Sequence, residues 1–127
     1  MDLFGTIPTE FGKLNHLKAL SLNLNSLTGS LPSELGHLTD LEELSISFNN
    51  LIGSIPNELK NNKNLRVLDL SGNELEHYIP PELFEDVKMH ILQLDHNRLT
   101  GEIPSNIDRL TKLEKCEYSR LNFCHEK

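Results

Sequence analysis

Six histidines and two cysteines are the side chains most able to do chemistry in this sequence of 127 residues. Cysteine–histidine catalysis needs an exposed thiolate beside a positive group, whereas Cys116 falls at an inward-facing strand position. His90, Asp95 and His96 are close in sequence, but their spacing does not force three ligands onto one metal ion. The sequence therefore predicts no catalytic residue, no metal site and no cofactor.

A group of acidic and polar side chains is a better candidate for binding a partner. Asp69, Asp95 and Glu117 fall at outward-facing strand positions toward the C-terminal end, and His96 follows Asp95. Such a patch would attract a basic peptide or protein, although a solvated face on an acidic protein explains the same residues. Phe48 lies at the mouth of this surface, where it either contacts a partner or packs along the edge of its repeat. The predicted partner-binding residues are Phe48, Asp69, Gln93, Asp95, His96, Glu117 and Arg120.

These side chains must be positioned by a repeat of 24 residues, in which segment 17–40 returns in register as 41–64, 65–88 and 89–112. Residues 1–16 match the second half of a repeat, and residues 113–127 form a half-repeat that is typical of a C-terminal cap. A period of about 20–29 residues indicates stacked coils with a shared apolar core. We therefore predict one domain over 1–127, and the missing first strand suggests a longer array or a partner at that end.

Each full repeat begins with a short strand in which aliphatic and polar residues alternate. A period of two places one set of side chains inward and the other outward. We expect one strand per coil and therefore a five-stranded parallel sheet, with the fifth strand near residues 115–119. The inward positions of the first four strands include Leu20, Leu22, Leu44, Ile46, Leu68, Leu70, Leu92 and Leu94.

An asparagine follows each of these strands at the same interval of 24 residues. A side-chain amide has both donors and an acceptor, and buried backbone groups must be paired. We therefore predict that the amides bind backbone groups of their own coil and of the next coil. This structural ladder consists of Asn25, Asn49, Asn73 and Asn97.

The rest of each repeat contains a glycine, then an aliphatic residue and a proline that begins a short helical turn. The segments SLTGSLPSELGHL, NLIGSIPNELKNN and RLTGEIPSNIDRL closely resemble the plant-specific class of leucine-rich repeat. The resemblance implies an α/β fold, namely a right-handed solenoid with a concave parallel sheet, a convex side of short helical and 3₁₀ turns, and a small extra strand after the asparagine. This family is best known from receptor-kinase ectodomains and from secreted inhibitors of cell-wall enzymes.

Two departures from the repeat pattern are expected to change the backbone locally. His77 and Tyr78 replace the usual glycine and small residue, so the turn should adjust and Tyr78 should lie over the edge of the coil. Asn62 and Asp86 replace a leucine that other repeats bury. We therefore expect an irregular convex side at both positions, with Val87 turned inward in the second case.

Composition excludes several partners. With a net charge of −7, the chain gains nothing from counterion release on nucleic acid. Its apolar runs are shorter than the about 20 residues of a membrane span, and its N-terminus does not resemble a signal peptide, so we predict no direct membrane insertion. Cys116 and Cys124 would form a disulfide in an oxidising compartment, or they are reduced thiols of which one fills a core position.

The sequence thus predicts a non-catalytic module that binds a protein or peptide on its concave sheet, as a fragment of a larger receptor-like protein. One alternative is a structural subunit of a larger assembly, held through its open N-terminal edge at residues 18–23 and its convex face. Another, implied by the resemblance, is a secreted enzyme inhibitor with a disulfide between Cys116 and Cys124. The resemblance favours an extracellular location or a receptor ectodomain, and an intracellular assembly is the alternative.

Overall fold

The computed structural model describes residues 2–118, in which short strands and 3₁₀ helices alternate. The strands are β1 (Phe4–Thr6), β2 (Ala19–Ser21), β3 (Ser26–Thr28), β4 (Glu43–Ser45), β5 (Val67–Asp69), β6 (Glu76–His77), β7 (Ile91–Leu94), β8 (Arg98–Leu99) and β9 (Lys115–Tyr118). The 3₁₀ helices span Thr9–Lys13, Ser33–His37, Asn57–Asn61, Pro81–Phe84 and Ser105–Arg109. Each of them begins directly after a proline. Their shortness agrees with the rule that 3₁₀ geometry rarely extends far.

The main sheet contains five parallel strands in the order β2-β4-β5-β7-β9. Its register advances by one repeat per strand, so that Leu44 pairs with both Leu20 and Leu68, and Leu68 pairs with Leu92. The fifth strand, β9, continues this register at Cys116. The predicted solenoid with a five-stranded parallel sheet and short helical turns is therefore confirmed.

Smaller parallel sheets lie just after the main strands in each coil. β1 pairs with β3, β6 pairs with β8, and a single bridge joins Ser30 to Ile52. These pairings are the small extra strand that the family resemblance implies. The backbones of neighbouring full coils are therefore hydrogen-bonded at two places, in the main sheet and in these smaller pairings. Two such contacts fix the rotation of one coil relative to the next.

The core is a continuous column of aliphatic side chains between the main sheet and the 3₁₀ helices. Leu44, Leu68 and Leu92 are fully buried, one above the other across the middle of the sheet. Three apolar side chains of the first, partial coil are exposed, namely Leu3, Phe4 and Leu14. The structural-subunit alternative uses the open edge at residues 18–23, where β2 is an edge strand of the main sheet, and the convex face, and this role stays a prediction.

The two predicted irregularities of the convex side have different outcomes. Asn62 is buried at the end of a helix of ordinary length, and its Nδ2 donates to the carbonyl oxygens of Leu35 and Leu38 at 3.0 and 2.8 Å. The irregularity expected there is wrong, because the amide fills the leucine position and binds the preceding coil. In the next coil the helix ends one residue early, Asp86 is exposed with a φ of 52°, and Val87 is half-buried.

A stability prediction follows from His77, which has a φ of 69° where the equivalent residues Gly5, Gly29, Gly53 and Gly101 have φ between 77° and 86°. A side chain with a Cβ atom is strained in this left-handed region. We expect His77→Gly to raise the free energy of unfolding by about 1 kcal/mol, measured by urea denaturation. His37→Gly is the control, because His37 ends a 3₁₀ helix, and it should not stabilise. A less stable His77→Gly variant would show that the turn is not strained.

Candidate functional site

Asparagine side chains join successive coils directly behind the concave surface. Asn73 Oδ1 accepts a hydrogen bond from the Leu51 N–H at 3.1 Å, and its Nδ2 donates to the carbonyl oxygens of Ile46 at 2.9 Å and Leu70 at 3.1 Å. Asn49 and Asn97 repeat this pattern. The amides therefore bind their own coil and the preceding coil, whereas the sequence analysis expected the next coil.

One residue before each asparagine, the backbone enters the left-handed region. We call these four residues, Leu24, Phe48, Gly72 and His96, the rim column, and their φ angles lie between 53° and 65°. The N–H of each of the first three donates to a carbonyl of the following coil, at 2.9 to 3.0 Å. Because sterics and hydrogen bonds both fix this turn, the rim column projects its side chains from a rigid backbone.

Phe48 and Leu24 are the exposed apolar members of the rim column, with 55% and 75% of their surface accessible. A Cβ atom built on Gly72 would lie 2.6 Å from Phe48 Cδ1, so the phenyl ring rests over this glycine. The two interpretations of Phe48, packing along the coil and contact with a partner, are therefore compatible. One face of the ring is packed while the rest is open to solvent.

The acidic side chains of the concave face are only partly open to solvent. Asp69 Oδ1 accepts hydrogen bonds from the backbone N–H and the hydroxyl of Ser71, at 3.1 and 2.6 Å. Asp95 has 17% of its side chain exposed, and its Oδ2 lies 2.7 Å from Nδ1 of His96. These partners occupy one oxygen of each carboxylate.

The register places Asp69 beside Gln93, and Gln93 beside Glu117, across three neighbouring strands. Gln93 is half-buried. The side chain of Glu117 and all of Arg120 lie outside the described part of the structure, so their predicted roles stay predictions. Cys124 also lies outside it, and the predicted disulfide with the half-buried Cys116 stays a prediction as well.

Several serines that the strand pattern places outward are buried. Ser45, Ser47 and Ser71 each expose 5% or less of their surface. Asn23 covers two of them, since its Nδ2 donates to Ser45 Oγ at 3.0 Å and its Oδ1 accepts from the Ser47 N–H at 2.7 Å. The sequence could have indicated this hydrogen-bond network, because small serine side chains recur at these positions in adjacent coils. The longer side chain of Asn23 reaches over two of them and shields them from solvent.

Among residues 2–118, His, Cys, Asp and Glu form no group of three or more able to hold a metal ion. No helix in that range has the length and hydropathy needed to cross a membrane.

Comparison with known proteins assigns the fold to a family. The model of the Leucine Rich Repeat family matches residues 16–38, 40–62, 64–85 and 88–110. The chain belongs to the leucine-rich-repeat family. No curated protein sequence matches the chain. The coils defined by the 24-residue interval are thus leucine-rich repeats, and the rim column and asparagine ladder recur within each of them.

Solved plant proteins share the structure of these repeats. The ectodomain of the Arabidopsis thaliana receptor kinase GASSHO1/SCHENGEN3, solved in complex with CASPARIAN STRIP INTEGRITY FACTOR 2, is 39% identical with a TM-score of 0.90, and the match covers 93% of this chain and 14% of that chain. The Arabidopsis receptor kinase HAESA, in complex with the peptide hormone IDA and the co-receptor SERK1, is 39% identical with a TM-score of 0.89 (93% and 20% covered). A plant ice-binding protein is 34% identical with a TM-score of 0.85 (92% and 39% covered).

The predicted resemblance to plant receptor-kinase ectodomains is confirmed by these matches. The leucine-rich-repeat chain spans 14% and 20% of the two receptor chains.

Proposed function

We propose that this chain is a non-catalytic module that binds a protein or peptide across its concave sheet, within a larger receptor-like ectodomain. The two similar receptor kinases support the proposal, because one was solved with a peptide hormone and a co-receptor and the other with a named factor. The concave sheet of stacked repeats is an extended surface that is well suited to such ligands.

The observation that carries the proposal is the position of Phe48. Its ring is fixed from below by Gly72, its backbone is held in a left-handed turn, and 55% of its surface is exposed. An aromatic side chain that is ordered before binding loses little conformational entropy when a partner covers it. Aromatic residues of this kind dominate the binding energy of many interfaces.

The polar groups near Phe48 indicate which partners fit. Asp95 and His96 lie two coils further along the rim, and Asp69 lies on the strand between them and Phe48. An extended ligand that runs across the strands would meet an apolar end at Leu24 and Phe48 and an acidic end at Asp69 and Asp95. We therefore propose a peptide segment with apolar residues at one end and a basic residue at the other.

Replacing Phe48 by alanine should weaken binding of such a peptide at least tenfold, because a central aromatic contact is worth about 2 kcal/mol. The probes are peptides selected from a random display library against the wild-type chain, with affinity measured by titration calorimetry. Ile52→Ala is the matched control, because Ile52 is also apolar and 51% exposed but bridges to Ser30 in the small lateral sheets.

Two results would contradict this proposal. The first is equal affinity of the selected peptides for wild type and Phe48→Ala. The second is a larger loss in Ile52→Ala than in Phe48→Ala, which would place the binding surface on the lateral side of the repeats.

A further inference from the structure

A depression with a volume of about 500 Å³ opens where the coils turn from the convex side back into the concave strands. It is separate from the rim column and from the acidic concave patch. Its lining contains four cationic side chains, together with His90, Asn64 and the carboxylates of Glu42 and Asp86. The four cations are Lys63, Arg66, Lys88 and Lys112. We call this site the basic depression.

The charge of the basic depression is opposite to that of the whole chain. Four cations and two carboxylates leave an excess of two positive charges, although the chain has a net charge of −7. Elsewhere Arg98 pairs with Glu74 at 3.2 Å, but none of the four cations takes part in an ion pair among residues 2–118. Within this range, direct ion pairs therefore do not neutralise their charge.

The walls of the basic depression are fixed by bonds between coils. The carbonyl of Arg66 accepts from the backbone N–H groups of His90 and Ile91, at 2.7 and 3.0 Å. Lys63 Nζ donates to the carbonyl of Glu85 in the next coil at 3.2 Å. An ammonium group has three donors, so this bond holds Lys63 in place while two donors remain. These bonds fix the backbone that lines the basic depression and the position of one of its four cations.

The spacing of the cations favours an anion between them. Lys88 and Lys112 occupy equivalent positions of successive repeats, each three residues before a strand, and these strands, β7 and β9, pair at the spacing of about 4.8 Å of a parallel sheet. Like charges at this separation repel one another, and a shared anion removes that repulsion. Arg66 adds a planar group that binds two oxygens of one anion at once.

We propose that the basic depression binds a divalent tetrahedral oxyanion, the phosphate group of a monoester, which carries close to two negative charges at neutral pH. A dianion neutralises the excess of two charges, whereas a carboxylate neutralises only half of it. This inference goes beyond the proposed function, because the depression lies outside the concave surface and does not need a peptide there.

Nuclear magnetic resonance titration of the ¹⁵N-labelled chain tests this site. The probes are inorganic sulfate, inorganic phosphate, phenyl sulfate and phenyl phosphate, with sodium acetate and sodium chloride at matched ionic strength. We expect inorganic sulfate, inorganic phosphate and phenyl phosphate to give saturating shifts at the amides of Arg66, Lys88, His90 and Lys112, and the chloride and acetate series to give none. Phenyl sulfate has a similar shape but only one negative charge, so it should bind more weakly than phenyl phosphate.

Variants at exposed positions keep the test independent of folding. Arg66→Gln should weaken oxyanion binding at least fivefold, and the double variant Lys88→Gln/Lys112→Gln should abolish saturation. Lys60→Gln is the control, because it removes the same charge from an exposed lysine outside the depression and should leave binding unchanged. Shifts that do not saturate, equal affinity for acetate, or an equal loss in Lys60→Gln and Arg66→Gln would overturn the proposal.

Discussion

Replacing Asn73 by alanine is expected to lower the free energy of unfolding by about 3 kcal/mol, because each buried polar group left without a partner costs about 1–3 kcal/mol. Asn73 is buried in the middle of the asparagine ladder. Alanine would remove the acceptor of the Leu51 N–H and the donor that binds the carbonyls of Ile46 and Leu70. Water cannot easily replace these bonds between two packed coils. Urea denaturation monitored by circular dichroism measures the loss.

Asn25 provides the matched control for this substitution. It is only half-buried, its Oδ1 accepts from the Leu3 N–H, and its Nδ2 binds carbonyls of its own coil alone, at Leu22 and Asn23. Asn25→Ala should therefore cost about 1 kcal/mol. If both variants lose the same stability, the bonds from Asn73 to the preceding coil do not contribute as we describe.

Leu68→Ala should destabilise the protein by about 3 kcal/mol, within the range measured for leucine truncations in cores. Leu68 is fully buried in β5, the central strand of the main sheet. Its neighbours Leu44 and Leu92 are held in register by backbone pairing, so they cannot move into the space. The cavity would remain, and its cost would add to the lost transfer free energy.

Leu24→Ala tests the same chemical change at an exposed site. Leu24 is 75% exposed on the rim column, and its truncation should change stability by less than about 0.5 kcal/mol. Thermal and urea unfolding of both variants give the comparison. A small effect of Leu68→Ala would mean that the column of leucines relaxes around the gap, contrary to its fixed register.

Much of the fold could be predicted because the four full repeats share one pattern of aliphatic, asparagine and proline positions. The strand positions, the five-stranded sheet and the short helical turns all follow from aliphatic, asparagine and proline residues at one interval. Phe84 is an exception, since it is fully buried while Gly12, Gly36, Lys60 and Asp108 hold its position in other repeats. Its burial accompanies the shortened helix and the left-handed Asp86, a change of backbone that no single repeat position reveals.

The candidate sites were harder to predict because they depend on how coils approach one another. Alternation within a strand predicted that Ser45, Ser47 and Ser71 face outward, but it could not show that Asn23 and its neighbours cover them. The cations of the basic depression come from three successive repeats, and only Lys88 and Lys112 hold equivalent positions. They meet only because residues about 24 positions apart are stacked in space.

The rim column has a consequence for how such a protein can diversify. Leucine, phenylalanine, glycine and histidine all adopt the same left-handed turn at this position, so the backbone tolerates very different side chains there. Except at Gly72, where a Cβ atom would meet the Phe48 ring, an exchange at one of these sites alters the side chain displayed without changing the backbone turn beneath it. Side chains of the rim column can therefore change one coil at a time without a compensating change in the core, and each change gives the surface a different ligand preference.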